Sequence, residues 1–551
     1  ARPVDTLPAG EERAVKNVVL YGFMGAGKTA VGEELSRRLG WPFLDTDRMV
    51  ESRAGKSVAR IFDEDGEAVF RALEREAVGE AARVRPAVVA CGGGAVLDPH
   101  NACALKASGH MVWLRAALDS VLSRAREADR PLLRGDARGR AAVLLEERTP
   151  RYRELADVVV DTDGLSVREV AERVLTELLA REAQTVTVAL PTGAYPVRVG
   201  DGVLPLVGVE LSRLGVRRCA VLTHPRLWRL YGAGLAEVLR AGGVEVVPVL
   251  VPPGERSKSL GAARKVYAQM AAAELDRACA VVGLGGGVVG DLAGFVAGTY
   301  MRGVRLLQLP TTLLAQVDAS VGGKAAVNVS VGKAQGPVRN LVGVFWQPQA
   351  VVADVATLRT LPLRELRAGL AECVKHGAVR DARLLEWVDR ELVNLLRRRT
   401  DRLAELVARN VAVKAEVVRQ DERETGGLRE VLNFGHTVAH ALEAATGYRV
   451  YLHGEAVAIG MVVEAELGRR EGVTEGSVAE ALRSVLRRAG LPTRVPPVSA
   501  QALVGFMRLD KKNRSGRLRF ALVERLGQAR TGVEVPEEAV ASVLRETGAS
   551  P

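Results

Sequence analysis

The sequence predicts an α/β chain in three parts: two sheet-bearing units followed by a mostly α-helical one. Three observations predict it. From Asn17 to about residue 355, short apolar runs alternate with charged stretches of 3.6-residue periodicity. That alternation is the mark of strands separated by helices, and so of parallel sheets. Two of those runs end in glycine-rich turns, at Gly22–Gly27 and Gly285–Gly290. After about residue 356 the chain becomes long Arg/Glu/Leu/Ala stretches with few β-branched runs, which favours helix.

In chain order, residues 1–14 are polar and read as a frayed tail. Asn17-Val-Val-Leu-Tyr is a buried strand leading to a glycine-rich turn and a helix, and Trp41-Pro-Phe-Leu leads to the next strand end. Ala87-Val-Val-Ala, Met111-Val-Trp-Leu and Val158-Val-Val complete the first sheet, and an amphipathic helix from about Ser166 to Glu182 closes the unit. Thr185-Val-Thr-Val alternates like a fresh edge strand, so a boundary is expected near residue 184. Apolar runs at 219–222, 244–251, 278–284 and 304–309 build a second sheet. The expected units are 15–183, 185–355 and 356–551.

Composition narrows the function. At roughly 150 residues per domain, 551 residues hold about three or four folding units. With 48% hydrophobic and 26% charged residues the chain is globular, neither disordered nor collagen-like. No uncharged apolar run reaches the roughly 18 residues of a transmembrane helix. The start shows no signal-peptide stretch, so a cytoplasmic location is expected. Five cysteines without a C-x-x-C pair read as reduced thiols. The net charge of +11 is spread over helix faces beside Glu, as in Arg71-Ala-Leu-Glu74-Arg75-Glu76, and aromatics are only 4%. Nucleic-acid and membrane partners are therefore not expected, and small anionic substrates are.

Gly22-Phe-Met-Gly-Ala-Gly27-Lys28-Thr29 fits G-x-x-x-x-G-K-[ST] between a strand and a helix. Such a loop wraps phosphates with backbone N–H groups, its Lys meets the β/γ oxygens, and its hydroxyl serves Mg²⁺. Asp45-Thr-Asp47 follows at the next strand end, where a carboxylate can support the metal. Phe70-Arg71-Ala-Leu-Glu74, Gly92-Gly93-Gly94, Arg130-Pro-Leu-Leu and Arg148-Thr-Pro-Arg-Tyr152 each look ordinary alone. Together, in this order and spacing, these motifs resemble shikimate kinase across residues 16–180. The resemblance implies a P-loop kinase with a parallel sheet that phosphorylates the 3-hydroxyl of shikimate from ATP. It implies that Gly25, Ala26, Gly27, Lys28, Thr29 and Arg130 bind ATP, with Thr29 and Asp45 on magnesium. Asp47, Arg71, Gly93, Gly94 and Arg148 would hold shikimate, the two arginines gripping its carboxylate. Asp47, Lys28 and the lid residue Arg130 would be catalytic. One departure is Gly-Lys-Thr-Ala where the family more often has Gly-Lys-Ser-Thr, and Thr29 still supplies a hydroxyl.

In the second unit, Gly285-Gly-Gly287-Val-Val-Gly290 contains G-x-G-x-x-G after an apolar run, but no acidic residue sits about 20 positions on, as a Rossmann fingerprint asks. The histidines carry more. Three of seven lie between 436 and 453, with His436 and His440 four apart on one helical face. With a carboxylate from elsewhere they would form a two-His-one-Glu catalytic zinc site with an open position. Gly369-Leu-Ala-Glu372-Cys-Val-Lys375, Leu432-Asn433-Phe-Gly-His436-Thr-Val-Ala-His440, His453-Gly-Glu, Asp510-Lys511-Lys512, Pro253-Gly-Glu255-Arg-Ser-Lys258, Pro310-Thr311-Thr312 and Gly322-Gly323-Lys324 resemble 3-dehydroquinate synthase over about 185–540.

This second resemblance implies a Rossmann-like NAD-binding domain and a helical metal-binding domain. It implies conversion of 3-deoxy-arabino-heptulosonate 7-phosphate to 3-dehydroquinate plus phosphate, with NAD and zinc or cobalt. By family match Glu372, His436 and His453 are the metal ligands, and His440 handles protons, although spacing alone could equally make it a ligand. Glu255, Lys258, Gly286, Gly287, Asp291, Thr311, Thr312, Asp318, Lys324, Lys333 and Thr360 would contact NAD. Arg302, Lys324, Asn340, Lys375, Lys414, Arg429, Asn433, His440 and Lys511 would surround the substrate, with Arg302, Lys324, Lys375 and His440 catalytic. The family runs Gly-Lys-Asn, joining a cofactor-site Lys to a substrate-site Asn. Here Gly332-Lys333 and Asn340 are separated by Ala334-Gln-Gly-Pro-Val-Arg339, six extra residues. Either Lys333 keeps its role and a bulge restores Asn340, or Arg339 replaces the Lys. The whole reads as a bifunctional shikimate-pathway enzyme, a homodimer through its 185–551 half. The alternatives are a related kinase fused to another sugar-phosphate cyclase, or one half kept as a scaffold.

Overall fold

The computed structural model describes residues 16–124, 136–330, 337–508 and 518–550. The chain divides into two compact units between Arg181 and Glu182.

The first unit is a five-stranded sheet of β1 (Asn17–Tyr21), β2 (Phe43–Asp45), β3 (Val88–Ala90), β4 (Gly109–Arg115) and β5 (Val158–Asp161), in the order β2-β3-β1-β4-β5. Every pairing is parallel. Parallel neighbours need crossover connections, which helices such as Lys28–Leu39 and Glu67–Ala81 supply, covering the sheet so that β1 is buried along its length. Because β1 and β3 are neighbours, the turns leaving their carboxyl ends, Gly22–Gly27 and Gly92–Gly94, lie side by side. Ligands bind at this edge of an open parallel sheet, where strand order reverses about β1. Tyr21 and Tyr152 are fully buried beneath it, with the Tyr21 hydroxyl donating to the Tyr152 carbonyl at 2.8 Å.

The second unit holds β6 (Gln184–Leu190), β7 (Gly193–Gly200), β8 (Arg218–Thr223), β9 (Glu245–Leu250), β10 (Ala280–Gly285), β11 (Arg305–Pro310) and β14 (Ala350–Asp354) in one sheet, ordered β6-β7-β14-β11-β10-β8-β9. β6 is the edge strand and pairs antiparallel with β7, while the other pairings are parallel. The antiparallel hairpin β12 (Lys324–Ser330) and β13 (Pro337–Phe345) packs Ala325 and Val327 on the helix Gly287–Thr299. Beyond residue 356 the helices Leu363–Arg380, Thr400–Gln420, His436–Ala445 and His453–Arg470 dominate. Their apolar faces share a core with β7 and β14: Val197 and Val351 belong to the same cluster as Leu370, Val374, Leu442 and Val457. One hairpin interrupts them, β15 (Leu518–Arg525) with β16 (Gln528–Val535). Its run Leu-Arg-Phe-Ala-Leu-Val-Glu-Arg fits a helical face as well as a strand, so periodicity alone could not assign it. Among the described residues no helix is long and apolar enough to cross a membrane.

Candidate active sites

In the first unit the loop after β1 turns on glycine. Gly22 sits at φ +143°, and a Cβ there would run into the Leu114 carbonyl oxygen, so only glycine fits. Gly25 and Gly27 also adopt positive φ, Gly27 as the residue before the helix that begins at Lys28. This aims the loop's N–H groups and the positive helix end at one point. Lys28 Nζ donates to the Gly22 and Phe23 carbonyls at 3.1 and 3.0 Å, spanning the place a phosphate would take. Thr29 Oγ1 donates to Asp45 Oδ2 at 2.8 Å, and Asp45 Oδ1 accepts from the Asp47 and Arg48 amides. These are oxygen donors of the kind Mg²⁺ takes.

Facing the loop, Gly92–Gly94 form the floor of a second subsite. A Cβ on Gly92 would lie 2.5 Å from Asp47 Oδ1, and one on Gly94 2.7 Å from Arg71 Nη1. Arg148 Nη1 and the Tyr152 hydroxyl both donate to the Gly93 carbonyl, at 3.4 and 2.5 Å. Asp47, Arg71, Gly93, Gly94 and Arg148 therefore meet around three glycines. Arg130 lies outside the described residues. Sequence reasoning gave no role to Glu74, which is 1% exposed, binds Arg71 Nη1 at 2.8 Å and leaves Oε1 without a hydrogen-bond partner. Burial raises its pKa. Its spacing of three from Arg71 on one helix was the available signal.

In the second unit the ligand candidates come from three helices. Glu372, in Leu363–Arg380, is fully buried, and its Oε1 has no hydrogen-bond partner. His436 Nε2 and His453 Nε2, each at the start of its own helix, both lie 3.7 Å from that oxygen. Ligand atoms of these three residues lie within 4.8 Å of one another. His436 Nδ1 lies 3.3 Å from the Phe434 carbonyl, which leaves Nε2 for the cluster. Burial, then Lys375, holds His436 well below the usual histidine range, which keeps it neutral. An orphaned buried carboxylate oxygen between two imidazoles is a donor set suited to zinc. His440 is exposed, its ring 5.6 Å from that of His436 and 6.2 Å from that of His453, outside the converging set.

A left-handed glycine and one close approach make this geometry possible. Gly435 takes φ +83° just before His436, and a Cβ on Gly460 would run into the Gly435 carbonyl oxygen. Glu464, one turn along, accepts from the Gly435 and Val438 amides at 2.6 and 3.1 Å, tying down the start of the His436 helix. Burial pushes its carboxyl up to about 8.

A polar seam runs from this cluster to the carboxyl edge of the sheet. Lys375 pairs with Glu372, Lys414 with Asp318, and Lys258 with Asp291. Lys324 meets Glu424 at 2.6 Å, and Arg429 donates to the Gly322 carbonyl at 3.0 Å. Burial lowers Lys414 to about 8, although Asp318 opposes the shift. The turn after β10 closes on Thr312, since a Cβ on Gly286 would lie 2.9 Å from Thr312 Cγ2, while the Thr311 amide donates to the Gly285 carbonyl. Gly287 opens the helix that carries Asp291. Glu255 accepts from Asn328 at 2.7 Å, Thr360 contacts the Tyr231 hydroxyl at 2.5 Å, and Asn433 lines a small pocket with Thr437 and Phe520. Arg302 is exposed on a left-handed kink at φ +63° and is not drawn into the seam. Lys333 and Lys511 lie outside the described residues.

The inserted segment resolves at its end into a β-bulge. Val327 pairs with Val342 but Val329 with Val338, so extra residues of β13 face Asn328, whose Oδ1 accepts from the Asn340 amide at 3.0 Å. Asn340 sits at φ +51°, and Arg339 turns its guanidinium toward Glu443, at 3.2 Å, and Glu255, at 4.0 Å. Sequence reasoning also passed over Glu424 and Glu443, because nothing in their local spacing links them to Lys324 or His453.

Three family models match the chain: shikimate kinase over residues 24–179, 3-dehydroquinate synthase N-terminal over 248–368, and 3-dehydroquinate synthase C-terminal over 369–513. A 3-dehydroquinate synthase from Symbiobacterium thermophilum is 47% identical over 350 residues, covering 63% of this chain and 96% of its own. Among solved structures, 2-epi-5-epi-valiolone synthase from Streptomyces hygroscopicus subsp. jinggangensis, with NAD⁺ and Zn²⁺ bound, aligns with a TM-score of 0.58 at 27% identity, over 64% of this chain and 96% of its own. A shikimate kinase from Acinetobacter baumannii, in complex with shikimate, is 35% identical over 30% of this chain and 95% of its own, with a TM-score of 0.30.

Proposed function

The chain belongs to the 3-dehydroquinate synthase family, with a shikimate kinase region fused ahead of it, and from that premise we propose which residues run each reaction. It is a bifunctional shikimate-pathway enzyme, a kinase and a phosphorus–oxygen lyase in one polypeptide. The domains of the proposal are 15–183 for the kinase, 185–355 for NAD and 356–551 for metal and substrate.

In the kinase, Gly25, Ala26, Gly27 and Lys28 cradle the nucleotide phosphates of ATP, with Lys28 exchanging its loop carbonyls for phosphate oxygens. Thr29 and Asp45 hold Mg²⁺. Arg71 and Arg148 clamp the shikimate carboxylate, Gly93 and Gly94 let the ring approach, and Asp47 binds the reacting hydroxyl and accepts its proton. Arg130 neutralises charge on the transferring phosphoryl.

In the synthase, Glu372, His436 and His453 hold zinc, and the orphaned Glu372 oxygen between two imidazoles is the observation that carries this reading. When bound, zinc would polarise a substrate oxygen and NAD would supply transient hydride chemistry. Glu255, Lys258, Gly286, Gly287, Asp291, Thr311, Thr312, Asp318 and Thr360 position the dinucleotide. Lys324, Lys375, Lys414 and Arg429 concentrate positive charge where a phosphate and a carboxylate must sit, with Asn340 and Asn433 orienting the substrate. His440 beside the ligands handles protons. The family match adds Lys333 toward the cofactor and Lys511 and Arg302 toward the substrate, and Arg302 would have to turn inward to take part.

The test gives each half its own substrate. Phosphate release from 3-deoxy-arabino-heptulosonate 7-phosphate should require NAD⁺ and a divalent metal, and ADP formation should require shikimate. Phosphate release from a carboxylate-free hexose phosphate instead would reject the substrate assignment. The five free cysteines suit a cytoplasmic location. A homodimer through residues 185–551 is expected, and sedimentation showing a monomer at micromolar concentration would reject it.

A further inference from the structure

We propose that Arg339, carried in by the inserted segment, is a positioning residue for the metal ligand His453 and acts through Glu443. This rests on the metal reading of Glu372, His436 and His453. Glu443, on the helix His436–Ala445, is 4% exposed and faces two partners. Its Oε1 lies 3.2 Å from Arg339 Nη1 and its Oε2 3.6 Å from His453 Nδ1. The other ring nitrogen of His453 faces Glu372 Oε1 at 3.7 Å. The imidazole is therefore held between two carboxylates, with Nε2 directed at the ligand set. An outer carboxylate that fixes the far nitrogen of a ligating histidine sets its orientation and raises its basicity.

A buried carboxylate keeps its place only while its charge is balanced. Arg339 supplies that balance, and its guanidinium is fixed on a second side, 4.1 Å from the centroid of the Tyr448 ring. A planar guanidinium can meet a carboxylate and stack on a ring at once, which an ammonium cannot. The bulge opposite Asn328 brings Arg339 here, since the left-handed Asn340 turns β13 at that point. Arg339, the last residue of the insertion, thus supplies a support for the proposed metal site.

The experiment measures Zn²⁺ affinity of the metal-stripped full chain by competition with a chromophoric chelator. Glu443→Gln should weaken zinc binding about 10–100-fold, and Arg339→Gln about 10-fold, at the low end of the same range. Arg339→Lys should recover part of the loss, and the double variant should bind no more weakly than Glu443→Gln alone. Wild-type affinity in Arg339→Gln, or losses that add in the double variant, would overturn the proposal. If Arg339→Gln does not fold, Arg339→Lys decides, with unchanged affinity counting against it. A wild-type chain that holds no zinc, or keeps it after His453→Ala, would instead defeat the metal reading beneath it.

Discussion

Asp47→Ala should abolish shikimate phosphorylation and leave dehydroquinate formation at its wild-type rate in the same polypeptide. A positioned general base contributes about 10²–10⁴-fold, and Asp47 is placed for that role. It follows Asp45, whose carboxylate meets Thr29 and caps the helix Thr46–Ala54, so the backbone that carries Asp47 is fixed at the start of that helix. Its carboxylate lies against Gly92, on the floor it shares with Arg71 and Arg148. The substitution would remove the proposed proton acceptor and leave the residues of the phosphate loop in place, so ATP binding should persist while ADP formation with shikimate stops. Paired assays of ADP and of dehydroquinate check this, and kinase turnover retained in Asp47→Ala would refute the assignment.

His453→Ala should lose tightly bound zinc and, with it, dehydroquinate formation. On the proposed ligand set a ligand is removed here, so the loss should exceed the roughly 10–100-fold typical of an outer partner. His440→Ala should keep zinc but lose turnover, because its ring stands outside the converging set of Glu372, His436 and His453. Chelation should stop both reactions for different reasons. Zinc or cobalt should restore cyclisation, whereas phosphorylation should need excess Mg²⁺, which arrives with ATP and is held mainly by phosphates. Metal analysis of the two variants is decisive: zinc lost from His440→Ala but kept by His453→Ala would overturn the ligand set.

Much of this was legible in the sequence because its signals are local. A strand, a glycine-rich turn and a helix in succession determine a phosphate loop, since backbone conformation is set by the residues that adopt it. The same holds for the edge strand near Thr185, the alternating elements up to residue 355, and the histidines that begin the helices His436–Ala445 and His453–Arg470. Glu372 is different. It lies 64 residues before His436, and only the resemblance connected the two in advance. Glu74, Glu424 and Glu443 went unread because each acts by charge on a residue that spacing does not mark, or marks weakly. Charge balance in a buried site depends on distance through space, and no periodicity encodes it.

The insertion shows the division most sharply. The sequence by itself determined that six extra residues part Lys333 from Asn340, and it left open whether Arg339 takes the place of Lys333. Only the tertiary structure decided where Arg339 points. A β-bulge sets Arg339, Asn340 and Leu341 opposite Asn328 alone, a left-handed Asn340 redirects β13, and the guanidinium finds the Glu443 carboxylate and the Tyr448 ring. A bulge changes direction by an amount that the partner strand and the surface beneath it set together, and neither is written in the segment that bends.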